Sequence, residues 1–299
     1  MSKLITIAIC TYNRCSYLKK CLQSLLPQVN DERVEVLVVD NNSTDITLKL
    51  VSFFKERYSF LKYVHEPIQG LSKARNTAFK SSKSLWIAYL DDDGIPHSDY
   101  VARLLYGVQN FDFDCYGGTY YAYYEIKKPK WLSNKFGSKP PLRKDVGLIQ
   151  RSELSGGIFV IKKNVLNSLE GFNPNYGMNG LKMGYGEENE LQNRLLSKGY
   201  KLGYDPFLKM DHVVATYKLK WTWHVKRTYQ SHKYTTDISY IKYDLSHTII
   251  TIYRALRKKI PEVFKKLRTD SNYYRQNLFI DLSIPFARAF GLYNNINKQ

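Results

Sequence analysis

The segment Trp86-Ile87-Ala88-Tyr89-Leu90 is apolar throughout and runs directly into Asp91-Asp92-Asp93-Gly94. An apolar run this short, ending in acids and a glycine, suits a strand buried on both faces. Three neighbouring carboxylates repel one another, and the arrangement is costly unless a cation or a solvated turn relieves it. Two outcomes fit these residues. One is an Asp-Asp-Asp-Gly turn in water. The other is an acidic cluster at the C-terminal tip of a buried strand, where open α/β sheets hold their ligands.

The residues upstream weigh toward the second. Residues 4–10 are apolar and β-branched, reach Thr11-Tyr12-Asn13, and read as a central parallel strand. A helix is expected over 16–26, with Leu18, Leu22 and Leu25 at helical spacing and Pro27 as its stop. Residues 34–39 form a second strand. It ends in Asp40-Asn41-Asn42-Ser43-Thr44-Asp45, a run of turn and cap formers, and a helix follows through Leu48, Val51 and Phe54 with Asp45 as its cap. A third strand lies at 61–64. Gly70-Leu71-Ser72 opens a helix carrying Lys73, Arg75 and Asn76, and the acidic strand is the fourth. This alternation predicts an α/β chain with a doubly wound, mostly parallel sheet flanked by helices. Its ligand loops would be 11–14, 40–45 and 91–93.

A dinucleotide-binding fold shares this opening, but it needs Gly-x-Gly-x-x-Gly after the first strand so that a pyrophosphate can approach the backbone. Here the segment is Cys10-Thr11-Tyr12-Asn13-Arg14-Cys15, with no glycine. NAD binding is disfavoured on that ground. So is a nucleotidyltransferase, which would also want a glycine-rich phosphate loop.

Composition sets outer bounds. The 299 residues suffice for one large domain or two modest ones, and 43% hydrophobic content is that of a globular chain. The net charge of +18 points to a polyanionic partner: nucleic acid, an acidic membrane surface or a phosphorylated substrate. Cys10, Cys15, Cys21 and Cys115 form no Cys-x-x-Cys pair, which excludes a metal finger and favours a reducing compartment. The N-terminus does not read as a signal peptide, and no apolar stretch approaches the roughly 20 residues of a membrane span. A cytoplasmic protein is expected, with peripheral attachment to a membrane face as an option.

Several motifs together resemble the family 2 inverting glycosyltransferases of GT-A fold. They are Thr11-Tyr12-Asn13-Arg14, Val38-Val39-Asp40-Asn41-Asn42-Ser43-Thr44-Asp45, Ala74-Arg75-Asn76 and Asp91-Asp92-Asp93. Downstream come Ser155-Gly156-Gly157, Glu170-Gly171-Phe172-Asn173 and Gly186-Glu187-Glu188-Asn189-Glu190-Leu191, then Arg194-Leu195 and Gly199-Tyr200. Each motif is weak alone; their order over residues 4–215 carries the resemblance.

The resemblance implies a nucleotide-sugar donor, UDP-, dTDP- or GDP-linked, a glycan acceptor that is lipid-linked or a surface polysaccharide, and a divalent metal, Mn2+ or Mg2+. A pyrimidine base offers an N–H, for which Asp40 or Asn41 would supply the acceptor; many relatives carry a second Asp where Asn41 stands. Thr11, Tyr12, Asn13, Arg14, Arg75, Asp91 and Asp92 are grouped with the donor. Asp93 would touch the metal. Asp91 would lie nearer the ribose and at the other end of the metal-binding pattern. Asp92 would point away, as alternate residues of an extended strand do. A His in Asp211-His212-Val213, after a strand-like 201–208, completes the metal site in some relatives. Glu188, the second acid of its pair, would be the catalytic base, although a helix N-terminus favours carboxylates in any case. One base opposite the leaving group implies inversion of the anomeric carbon.

The expected division is 1–115 for the nucleotide-sugar half, 116–215 for the acceptor-side half of the same domain, and 216–299 for a basic helical extension. Residues 127–147 are expected as an acceptor-side loop, broken by Pro129, Gly137, Pro140 and Pro141. From Thr216 onward sixteen Lys and Arg face five Asp and Glu, which is +11 of the +18. A helix over 249–268, with Pro261 starting a new turn, has the basic and aromatic character of helices that lie on anionic membranes. A non-enzymatic basic module for nucleic acid or membrane is the alternative function. No recognised nucleic-acid motif is present, so no nucleic-acid partner is expected.

Overall fold

The structure is a computed structural model that describes residues 3–179, 184, 186–235 and 245–296. Parts of the expected basic extension, 236–244 and 297–299, lie outside the described residues. Two compact units divide the chain: Met1–Tyr123 with Gly137–Val213, and Tyr124–Phe136 with Val214–Gln299.

The first unit begins with β1 (Ile5–Thr11), α1 (Cys15–Leu25), β2 (Val34–Asp40), α2 (Thr47–Arg57), β3 (Leu61–His65), α3 (Leu71–Ser81) and β4 (Trp86–Leu90). Strands β1 to β4 are parallel to their neighbours, in the order β3-β2-β1-β4. Alternation within the strands explains the layers. Ile5, Ile7, Ile9, Val34, Val36 and Val38 pack with Leu18, Leu22 and Leu25 of α1 on one face. Ala8, Leu37, Val39, Ile87 and Tyr89 pack with Ala74 and Ala78 of α3 on the other. A sheet covered on both sides must be apolar at successive positions, and all seven residues of β2 are buried.

The chain then adds β5 (Gly94–Pro96), α4 (Tyr100–Asn110), β6 (Cys115–Tyr123), β7 (Gly147–Leu148), β8 (Ile158–Lys162), α5 (Lys163–Ser168), α6 (Glu187–Ser197) and β9 (Leu202–Val213). Among the described residues one sheet runs β3-β2-β1-β4-β8-β6-β9-β5, with β7 paired on β9. β8 lies antiparallel to β4 and β6, and β9 lies parallel to β6 but antiparallel to β5. The mostly parallel, helix-flanked sheet expected from the sequence is therefore what the chain forms, with its antiparallel pairings in the second half.

Three local differences have clear causes. β4 ends at Leu90, and Asp91-Asp92-Asp93 sit in a turn closed by Gly94 N–H to Asp91 O at 2.9 Å, so strand alternation does not set their directions. β9 runs past residue 208 to Val213 because β6 and β5 pair with its final residues, and Asp211-His212 are thus strand residues. In the second unit, α8 (Leu245–Thr269) passes through Pro261 without a break.

The second unit holds α7 (Trp221–Thr235), α8 and α9 (Arg275–Ile296), together with residues 124–136. Asn277 donates to the Trp131 carbonyl at 2.9 Å, and the rings of Trp131 and Phe136 pack on His224.

Candidate active site

Thr11 and Asp40 are neighbours in register at the tips of β1 and β2, and the acidic turn follows β4 beside them. Thr11 Oγ1 donates to Asp92 Oδ2 at 2.8 Å. The Arg14 guanidinium forks between Asp92 Oδ1 at 2.7 Å and Asp93 Oδ2 at 2.5 Å, and stacks 4.8 Å over Tyr17. Burial pushes the Asp92 carboxyl up to about 7, against the pull of Arg14. Arg14 thereby answers the repulsion within the acidic run, as a nearby cation must. Tyr12 is half-buried.

The second loop is held by its own polar groups. Asp40 accepts from Ser43 N–H and from the Tyr63 hydroxyl, both at 2.9 Å. Asn41 donates to the carbonyls of Glu66 and Ile68 and accepts from Gly70 N–H at 2.8 Å. Asn13, at φ 52°, accepts from Thr44 N–H at 2.7 Å and ties the first loop to the second. Asp45 accepts the first N–H of α1, from Cys15, and that of α2, from Thr47, both at 3.0 Å. It caps two helices where the sequence suggested one.

Arg75 links the two ends of the site. Its guanidinium is 3% exposed, lies 2.9 Å from Glu187 Oε1 and 3.5 Å from Asp91 Oδ1, and rests on the faces of Phe172 and Tyr89. The Asp91 side chain is 44% exposed. The glycine pair is explained by these two residues. A Cβ on Gly156 would come within 2.6 Å of Arg75 Nη2, and one on Gly157 within 2.3 Å of Asp91 Oδ2. Only glycine lets β8 start this close to both.

Glu187 and Glu188 open α6, entered through Gly186 at φ 92°. Burial pushes Glu187 up to about 7, offset by Arg75 and reinforced by Glu188, with which it shares a hydrogen bond. Glu188 is half-buried. Its charge is felt by Arg75, by Tyr120 and by Lys139. Tyr120 also feels Asp91 and Asp93, and its ring packs edge-on against His212 at 5.5 Å. Gln192, fully buried, accepts from Leu154 N–H at 2.9 Å and donates to the carbonyls of Leu154 and Glu188, fixing this helix end against the glycine pair. Asn76 and Arg194 secure the Glu170-Gly171-Phe172 turn between them, Asn76 through Phe172 and Arg194 through Gly171 O at 2.9 Å.

His212 stands opposite Gly94 in the β5–β9 pair, and Val213 N–H donates to Asp93 O at 2.8 Å. The imidazole reaches the Gly137 carbonyl through Nδ1 at 2.9 Å and Asp93 Oδ2 through Nε2 at 3.5 Å. With the proton on Nδ1, the lone pair of the neutral ring sits on Nε2, directed at a carboxylate. That is the second-sphere arrangement of metal-ligating histidines. Asp93 and His212 are the residues that could hold one divalent ion, with room for substrate phosphates and water; the Asp93 Oδ2 that faces His212 also accepts from Arg14. Asp91 is turned to Arg75 instead. Among the described residues no three His, Cys, Asp or Glu side chains gather into a closed metal site.

The structure therefore brings Thr11, Arg14, Asp91, Asp92, Asp93 and His212 together, and joins them through Arg75 and Tyr120 to Glu187 and Glu188. Asn13, Asp40 and Asn41 lie at the same strand tips in loop-holding contacts. Sequence reasoning missed Lys139 and Gln192. Tyr120 stood in a Tyr-rich run with no spacing signal, and Lys139 and Gln192 belong to no motif.

The family model described as Glycosyl transferase family 2 matches residues 6–170, which is more than half of the chain and runs from β1 through the glycine pair. Glycosyltransferase GlyA of Streptococcus pneumoniae is 31% identical over 121 residues, 40% of this chain and 17% of that protein. Two other curated glycosyltransferases are matched over 42% and 38% of their lengths, so the chain spans less than half of these relatives. Among solved structures, the mannosyltransferase PcManGT from Pyrobaculum calidifontis, in complex with GDP-Man and Mn2+, superposes with a TM-score of 0.64 at 15% identity, covering 100% of this chain and 89% of that one. S. aureus TarS 1–349 in complex with UDP-GlcNAc gives 0.55 at 12% identity, covering 99% and 92%. At these identities the two structures speak for the fold alone. Motif order, strand-tip geometry and the family match converge: the chain belongs to glycosyl transferase family 2 and has the GT-A fold.

Proposed function

We propose that the chain is an inverting glycosyltransferase that moves a sugar from a nucleotide-sugar donor to a glycan acceptor by metal-assisted direct displacement. The observation that carries this is Arg75, which spans from Asp91 to Glu187 and so supports one cleft between the donor-side acids and the Glu187-Glu188 pair. Residues 1–115 would hold the nucleotide and 116–215 the acceptor side. Asp93 and His212 would hold the divalent ion, Mn2+ or Mg2+, which when bound neutralises charge on the departing diphosphate. Arg14 adds a fixed positive charge at the same place. Asp40 and Asn41 face the base through the loop they stabilise. Glu188 would take the proton from the acceptor hydroxyl onto a carboxylate oxygen as that oxygen attacks the anomeric carbon. The bond from that carbon to the diphosphate oxygen breaks, the nucleoside diphosphate leaves, and single displacement inverts the centre.

The donors bound by PcManGT and TarS, GDP-Man and UDP-GlcNAc, make guanine and uracil nucleotides the first to test. The four cysteines are free thiols, which suits a reducing, cytoplasmic setting for such a reaction. A basic binding module would have no use for Arg75 and Glu187 buried at the cost of their hydration. Thermal shift against UDP-, dTDP- and GDP-sugars with and without Mn2+ tests the proposal. A metal-dependent rise in Tm for one nucleotide is expected, and no rise with any of them would refute it.

A further inference from the structure

Helix α8 carries one Glu and seven Lys and Arg over 25 residues. Its inner side is settled: Val263 is fully buried, while Lys259 and Lys266 reach Asp281 of α9 and Glu262. Its outer side is not apolar by accident of composition. Ile249, Tyr253, Ile260 and Phe264 are 58%, 64%, 41% and 54% exposed. At helical spacing these four fall within an arc of about 60° and span roughly 22 Å along the axis.

The flank beside that stripe is cationic. Arg257, Arg268, Arg254, Lys265 and Lys258 are exposed and occupy roughly the next 100° of the helix. Glu262, the helix's sole acidic residue, is engaged on the far side with Lys259 and Lys266. An apolar strip with cations along one edge is the profile of a helix lying in a membrane interface: side chains enter the acyl boundary and the basic flank meets anionic headgroups. No described helix is long and apolar enough to cross a membrane, so the contact would lie in the interfacial plane. We infer that the Ile249–Phe264 face of α8 docks on an anionic lipid surface.

Neither the donor site nor its chemistry enters this inference, so the two can fail separately. The test is flotation of the full chain with vesicles of pure phosphatidylcholine and of equal parts phosphatidylcholine and phosphatidylglycerol. The mixed vesicles are expected to be favoured at least tenfold at low salt, falling as salt rises, since each cation at such a surface contributes about fivefold. Tyr253→Ser with Phe264→Ser should lower that partition about tenfold with unchanged Tm, and Arg254→Glu with Arg257→Glu, which removes two cations and reverses their charge, should lower it at least about 25-fold with unchanged Tm. Equal flotation on both vesicle types, no flotation, or a wild-type result from either double variant would overturn the inference. So would a self-associating chain whose dimer the apolar variant abolishes, or a variant whose Tm falls while lipid binding persists, since the face would then be covered by protein.

Discussion

Arg75 and Glu187, 112 residues apart in the chain, meet at 2.9 Å in the interior, at 3% and 7% side-chain exposure. This pair couples the helix after β3 to the helix that presents Glu188. Removing one partner leaves a buried charge unanswered. Arg75→Ala is expected to destabilise the protein by about 3–5 kcal/mol, and adding Glu187→Gln should recover part of that loss. Denaturant unfolding of the single and double variants measures it; a loss below about 1 kcal/mol would show the pair to be peripheral to the fold.

The same burial gives stability a pH dependence. Glu187 is raised from 4.5 to about 7, so between those values the folded chain binds more protons than the unfolded chain. Its contribution is fully present below the unfolded value and is lost as pH rises through the folded one. Wild type should lose stability from this group as pH rises from 4.5 to 7, while Glu187→Gln shows a shallower slope. Unfolding free energies across that range read the difference, and parallel slopes would contradict it.

The glycine pair predicts a separation of folding from function. A methyl group at Gly157 would come within 2.3 Å of Asp91 Oδ2, 2.7 Å of its Cγ and 3.2 Å of its Cβ, so it meets side chain and not backbone. Gly157→Ala should therefore cost about 1–3 kcal/mol of stability as Asp91 shifts. It should nonetheless push Asp91 out of place and weaken donor binding, on the order of tenfold. Calorimetric titration of the donor alongside thermal unfolding checks both; unchanged donor affinity would remove Asp91 from the donor site.

The metal assignment predicts graded losses. His212→Ala should raise the Mn2+ concentration for half-maximal activity about 10- to 100-fold, and Asp93→Ala should abolish metal-dependent transfer. Chelation should silence the wild type and Mn2+ restore it. Full transfer in the presence of a chelator would count against Asp93 and His212 as ligands.

Much of the fold could be read from residues alone because the first four strands are short, apolar and separated by clear stops such as Pro27 and Gly70. The strand-tip loops followed, since parallel topology dictates where ligands bind. The second half was harder. β8 and β6 pair with strands that lie far off in sequence, and the extension of β9 through His212 depends on two neighbours that no local pattern reveals. Glu187 read as an acid of a helix start; its buried ion pair with Arg75 emerges only in three dimensions. Asp40 and Asn41 looked like ligand groups by position; their loop-holding bonds to Tyr63, Ser43, Gly70 and Ile68 emerge only in three dimensions. Pro261 sits inside α8 because a helix packed on α9 tolerates one missing N–H where an isolated one would break.

The most direct test of the proposed chemistry is transfer by Glu188→Gln, measured beside its donor and Mn2+ affinities. The amide keeps the shape of the side chain and loses the proton acceptor. Transfer is expected to fall about 10²- to 10⁴-fold while donor and metal bind as in the wild type. A variant that transfers sugar at the wild-type rate would contradict the assignment of Glu188 as the base and the displacement built on it.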